Sequence, residues 1–124
     1  MVTIGRRRWA IAEGYLPPGG EDDSYELRSH EAACILNAGD VDARVEITLF
    51  FTDREPVGPY VVVVPARRTL HLRFNELREP EPVPVNTPYS SVFESDEPVV
   101  VQHTRLDSRQ AALALLTTIA YGDD

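Results

Sequence analysis

Between residues 45 and 51 the side chains alternate, with Val45, Ile47, Leu49 and Phe51 opposed to Glu46, Thr48 and Phe50. A period of two places the first set on one face of a β-strand, and no helix can use that spacing. Residues 69–74 repeat it, with Leu70, Leu72 and Phe74 opposed to Thr69, His71 and Arg73. The first set of each run is expected to face a core. Short apolar runs recur roughly every ten residues, separated by proline, glycine and acidic clusters, which is the pattern of antiparallel all-β sandwiches and barrels. The 124 residues suffice for one core and no more. The expectation is therefore a single-domain β-sandwich over residues 1–124.

Further runs fit that frame. Tyr60 to Val64 is continuously apolar and largely β-branched, as in a strand covered on both sides, and Val99 to His103 is similar. Residues 31–36 lead into Asn37-Ala-Gly-Asp40, a turn signal expected to fold this strand back onto 44–51. Pro17-Pro-Gly-Gly20, followed by Glu21-Asp-Asp-Ser24, reads as an exposed loop, as does Arg54 to Pro59. Pro80, Pro82 and Pro84 mark an extended stretch crossing between sheets. Segment 108–121 reads two ways, as a helix capped by Ser108 or as a turn followed by a strand over 113–121. The second is preferred.

Charge narrows function. The formal net charge is −8, all 12 basic residues are arginine and there is no lysine. Such a chain is repelled by phosphate backbones and anionic lipid, so nucleic acid is not expected as a partner through bulk charge. His30, His71 and His103 lie far apart, and no HxH, HExxH or paired-cysteine spacing occurs, so no metal site is expected. The single cysteine, Cys34, lies in an apolar run without an adjacent base and reads as a small buried hydrophobe. No nucleophile elbow or glycine-rich phosphate loop is present, and the chain is expected to be neither an enzyme nor a cofactor binder. No signal-peptide core precedes Glu13 and no run approaches the ~20 apolar residues of a membrane span, which points to a cytoplasmic protein.

What remains is a set of polar residues within apolar segments. Glu13 follows Trp9-Ala-Ile-Ala12, His30 and Glu31 open one strand, and Gln102, His103 and Arg105 close another. If buried, each needs a partner, in an internal network or around a pocket. Trp9 beside a carboxylate suits a sugar-like ligand, its ring stacking on C–H faces while Glu13 and Gln102 take hydroxyls, although Trp9 equally suits a core anchor. Arg67, Arg68 and Arg73 suit a solvated edge, an intersubunit salt bridge or an anion contact.

Long blocks carry a resemblance. Trp9-Ala-Ile-Ala-Glu-Gly-Tyr15, Cys34-Ile-Leu-Asn-Ala-Gly-Asp40, Val45-Glu-Ile-Thr48, Asp53-Arg-Glu-Pro-Val-Gly-Pro-Tyr60, Val64-Pro-Ala-Arg-Arg-Thr69, Arg73-Phe-Asn75 and Val101-Gln-His-Thr-Arg-Leu-Asp-Ser-Arg-Gln110 resemble the sensory rhodopsin transducer family. The similarity runs from Ile4 to Tyr121; segments 16–28 and 76–89 and the triple arginine at 6–8 depart from it. The resemblance implies a jelly-roll-like sandwich assembled as a cytoplasmic homotetramer, without catalytic activity. It implies either a sugar-like small-molecule ligand or docking on a membrane sensory rhodopsin, with DNA as one route for the relayed response. Carried over by position, Trp9, Glu13, His30, Glu31, Gln102, His103 and Arg105 are its ligand-site candidates.

Overall fold

The structure, a computed structural model, describes residues 4–18, 24–110 and 112–124. Among them the regular elements are eight strands and two single 3-10 turns: β1 (Arg6–Gly14), a turn at Tyr25–Leu27, β2 (His30–Asn37), β3 (Ala43–Phe51), β4 (Val57–Val64), β5 (Arg68–Arg73), a turn at Phe74–Glu76, β6 (Tyr89–Asp107), β7 (Ala114–Ile119) and β8 (Tyr121–Asp123). Every strand pair is antiparallel. No helix among the described residues is long and apolar enough to cross a membrane.

The 19-residue β6 organises the fold. Its first half pairs with β1 and β3 in a sheet ordered β4-β3-β6-β1-β8, and its second half lies between β2 and β7 in a sheet completed by β5. The change of partner falls where β3 pairing ends at Ser95 and β2 pairing begins at Val100. Pro98, which has no N–H to give a ladder, lies in that interval, and β1 shifts register across it. A strand that turns this corner joins two sheets around one core. Trp9, Ile11, Ile35, Val45, Ile47, Leu49, Tyr60, Phe74, Phe93, Val99 and Val101 fill it. Phe74 meets the Tyr89 ring at 5.5 Å and the Phe93 ring at 6.3 Å in tilted and edge-on geometry.

The alternations at 45–51 and 69–74 face the core as expected, the prolines at 80–84 lie on the connection from β5 in one sheet to β6 in the other, and the strand expected over 113–121 is present as two, β7 in one sheet and β8 in the other, broken at Ala120. Five expectations are corrected. The Asn37 turn does not return β2 onto β3, because both edges of β2 are already taken by β5 and β6. Asn37 is instead a buried clamp, donating from Nδ2 to the Val41 and Val64 carbonyls at 2.9 and 3.0 Å while Oδ1 accepts from the Gly39 N–H. The run Tyr60 to Val64 is covered on one face only: β4 ends its sheet, leaving Val61 and Val63 exposed. Val99 to His103 likewise alternates, with Val99, Val101 and His103 inward and Gln102 outward. The loop at 54–59 ends early, since β4 begins at Val57. Pro17 is buried rather than in an exposed loop, while the acidic residues 21–23 of that loop lie outside the described residues.

Candidate functional site

The site is set by an irregularity in β1. Ile11 pairs with Ser91 and Gly14 with Tyr89, so Ala12 and Glu13 together oppose Ser90 alone. This is a β-bulge, and such bulges re-aim side chains. Simple alternation from Trp9 and Ile11 would bury Glu13; the bulge leaves it exposed. Gly14 fits there because the Tyr89 ring occupies the space of a Cβ, whose nearest ring atom would be 2.4 Å away.

Glu13 borders a cavity of about 310 Å³ whose walls include Ile11, His103, Arg105, Leu116 and Tyr121. Behind it lies Glu31, fully buried. Its carboxylate accepts hydrogen bonds from His103 Nε2 and, at 2.7 Å, from Arg105 Nε. A buried carboxylate needs such partners, and here an imidazole and a guanidinium supply them. Asn75 fixes the entry of Glu31, accepting its N–H at 3.1 Å while donating to the Ser29 carbonyl. The Arg105 guanidinium reaches past Glu31 to Glu13 Oε2 at 3.5 Å, and its side chain is 17% exposed. Burial works against its charge, but the hydrogen bonds and charge of Glu31, then those of Glu13, outweigh this and raise its pKa. The cavity therefore presents one fixed guanidinium edge and one exposed carboxylate within apolar walls. That composition orients a small ligand rich in hydroxyl or carboxyl groups.

Of the residues expected at a site, Glu13, His103 and Arg105 line this cavity and Glu31 supports it. Trp9, His30 and Gln102 do not join them. Trp9 is buried, donates from Nε1 to the Val99 carbonyl at 2.9 Å and packs its ring over Gly122, the core-anchor arrangement. His30 and Gln102 alternate out of phase with Glu31 and His103; Gln102 donates to Thr117 Oγ1 at 2.8 Å and His30 Nδ1 to the Arg28 carbonyl at 2.7 Å. Arg67 pairs with Asp40 at 3.0 Å, Arg68 donates to the Ala66 and Arg67 carbonyls, and Arg73 lies 3.6 Å from the Tyr25 ring centroid. Arg6 and Arg8 pair with Asp124 and Asp123. Cys34 is half-buried in the outward phase of β2, and burial raises its thiol pKa.

Sequence reasoning missed Asn75, Leu116, Tyr121 and Tyr89. Tyr89 places a buried hydroxyl, without a hydrogen-bond partner among the described residues, in the field of Glu31 and Arg105. The apolar 113–121 segment was the available signal for Leu116 and Tyr121.

Residues 4–122 match the family model described as Anabaena sensory rhodopsin transducer. Among solved structures, the Anabaena sensory rhodopsin transducer is 57% identical with a TM-score of 0.76, over 83% of this chain and 100% of its own. A crystal structure of a Thermotoga maritima protein is 39% identical with a TM-score of 0.85, over 96% of both chains. No curated protein gives a match.

Proposed function

Because the chain belongs to the Anabaena sensory rhodopsin transducer family, we propose that it is a non-enzymatic cytoplasmic signalling protein that binds a small sugar-like ligand in the cavity beside Glu13 and Arg105. The observation that carries this reading is the Arg105 guanidinium, held by buried Glu31 at 2.7 Å and exposed toward the cavity. Holding a cation at a fixed angle lowers the ordering cost of ligand binding. Apolar Ile11 and Leu116 suit the C–H faces of a sugar, and Glu13 suits its hydroxyls. A thermal-shift screen with neutral sugars and sugar acids tests it. Ligand at a hundred times its dissociation constant adds about 2.7 kcal/mol, and Arg105→Gln removes that gain. No stabilisation by any member of either class counts against the reading.

Self-association as a tetramer goes with it. Leu115, Ile119 and Tyr121 are 69%, 61% and 70% exposed at the C-terminal strands, large apolar side chains that a subunit interface would cover. Light scattering on wild type and on Leu115→Glu tests the assignment; a wild-type monomer removes it.

A second reading is favoured by the 57% identity to a protein named as a rhodopsin transducer: docking on the cytoplasmic face of a microbial sensory rhodopsin, with a signal relayed onward. Co-purification with such a rhodopsin in nanodiscs supports it, and no retention at low salt opposes it. The net charge of −8 disfavours a relay through direct DNA binding.

A further inference from the structure

A second cavity, of about 360 Å³, opens on the outward phase of β2 and β5. Its floor is made by the small residues Ala32 and Cys34 of β2. Both pair with longer neighbours: Ala32 lies opposite Arg73 and Cys34 opposite His71. Tyr25 and His30 close one end, and Thr104 comes from β6. A row of small residues on β2, flanked on β5 by the longer Arg73 and His71 and on β6 by Thr104, leaves a trough with a polar rim.

The charge of that rim is one-sided. Among the described residues, the titratable and charged groups lining it are His30 and Cys34 from β2, His71 and Arg73 from β5, and Tyr25 from the turn before β2; none of these is a carboxylate. Glu76 is engaged by the Tyr25 hydroxyl at 2.8 Å. Arg73 spends Nη1 on the Tyr25 carbonyl at 2.9 Å and lies flat on the Tyr25 ring, which fixes its plane and leaves its other N–H groups without a protein acceptor among the described residues. His30 donates from Nδ1 to the Arg28 carbonyl, so Nε2 is its proton-accepting nitrogen. A protein with eight excess negative charges has thus gathered an oriented guanidinium and two imidazoles around one trough.

We propose that this trough is a second binding site, separate from the Glu13–Arg105 cavity, for a small oxyanion of the phosphate class. A planar guanidinium with free N–H groups matches the oxygens of phosphate or sulfate, and each protonated imidazole adds a charged donor. Histidine changes charge between about pH 5 and 8, so affinity rises as pH falls.

Sulfate is the first probe because it keeps its charge across that range, and Cys34 is the reporter because it is the only cysteine. Sulfate at ten times its dissociation constant should slow Cys34 alkylation about tenfold relative to chloride at equal ionic strength. Calorimetry should find tighter sulfate binding at about pH 6 than at about pH 8. Arg73→Gln and His71→Gln, both checked for wild-type unfolding midpoints, should each weaken binding, Arg73→Gln by about tenfold or more. Inorganic phosphate should compete with sulfate, and acetate should not. Equal alkylation in sulfate and chloride, protection that survives Arg73→Gln, or affinity independent of pH would overturn the proposal.

Discussion

The sheet of β2, β5 and β6 carries a cluster of polar residues on each of its two faces, and the clusters obey opposite rules. On the inner face Glu31, His103 and Arg105 form one closed set, with the carboxylate fully buried and both the imidazole and the guanidinium on it. On the outer face His30, His71 and Arg73 surround Cys34 with no carboxylate among them. The residues are neighbours in sequence: His30 precedes Glu31, and Thr104 lies between His103 and Arg105. Depth explains the difference. An unpaired charge inside costs several kcal/mol, so the inner set must balance, whereas water screens like charges outside and lets them stand together. Charge left unbalanced at the surface is therefore free for a ligand, while the inner cluster has only the outer edge of Arg105 to spare.

The largest effect should come from breaking the inner balance. Glu31→Ala leaves Arg105 and His103 without their carboxylate and should lower unfolding free energy by about 3–5 kcal/mol, read from urea denaturation. Replacing all three groups together, Glu31→Leu with His103→Leu and Arg105→Met, should recover most of that loss or exceed wild type, because no buried charge remains. The triple variant separates two roles. If the network exists to present Arg105, the variant folds and fails to respond to sugars in the thermal-shift screen; an unchanged response would remove Arg105 from the site.

The next test concerns Tyr89. Burial, with the charge of Glu31 adding and that of Arg105 opposing, pushes its hydroxyl far above the usual phenol range, so it stays protonated at any working pH. Its oxygen has no partner among the described residues, so Tyr89→Phe removes a desolvated group and no hydrogen bond. Stability should hold or rise by up to about 1 kcal/mol. A loss of more than that, with ligand binding intact, would mean that the hydroxyl is bridged by ordered water.

Much of this was legible in the sequence. The runs at 45–51 and 69–74 carry their faces in their period, and polar residues in apolar runs did mark Glu13, His103 and Arg105, which do share a cavity. Pairing was less legible, because alternation says which side faces inward and nothing about the neighbour. The Asn37 turn has good hairpin chemistry, yet β2 fills its two edges with β5 and β6. Pro98, which sequence reasoning did not single out, marks the corner of one long strand. Trp9 and Gln102 carried the right chemistry for a sugar; an indole N–H satisfied by Val99 and an outward phase on β6 place them elsewhere. The bulge at Ala12 and Glu13 leaves no mark in composition, and it alone turns Glu13 outward.

On the outer face, substitutions should matter little for folding. His71→Gln should change stability by no more than about 0.5 kcal/mol, since exposed side chains away from caps and networks usually do no more. Cys34 lies between the two regimes: half-burial raises its thiol pKa, so at about pH 8 it should be alkylated more slowly in the folded protein than in urea. A folded-state rate equal to the unfolded one would mean that the trough does not cover the thiol.

The smallest effect belongs to the end of β6, where Asp107 and Arg109 repeat the inner carboxylate–guanidinium pairing in the open. Arg109 donates to Asp107 at 2.6 Å, closer than Arg105 approaches Glu31. Its hydrogen bond, opposed by slight desolvation, holds the Asp107 carboxyl below its usual range. A depressed folded pKa contributes stability above the unfolded value, about 3.9 for aspartate, and that contribution is lost as pH falls through the folded value. Asp107→Asn should therefore move the urea midpoint only slightly at about pH 7, and not at all well below pH 3, where wild type has lost the same charge. Short distance does not make the pair strong, because water already solvates both partners. Were Asp107→Asn to cost as much at neutral pH as Glu31→Ala, depth could not be what distinguishes the two faces.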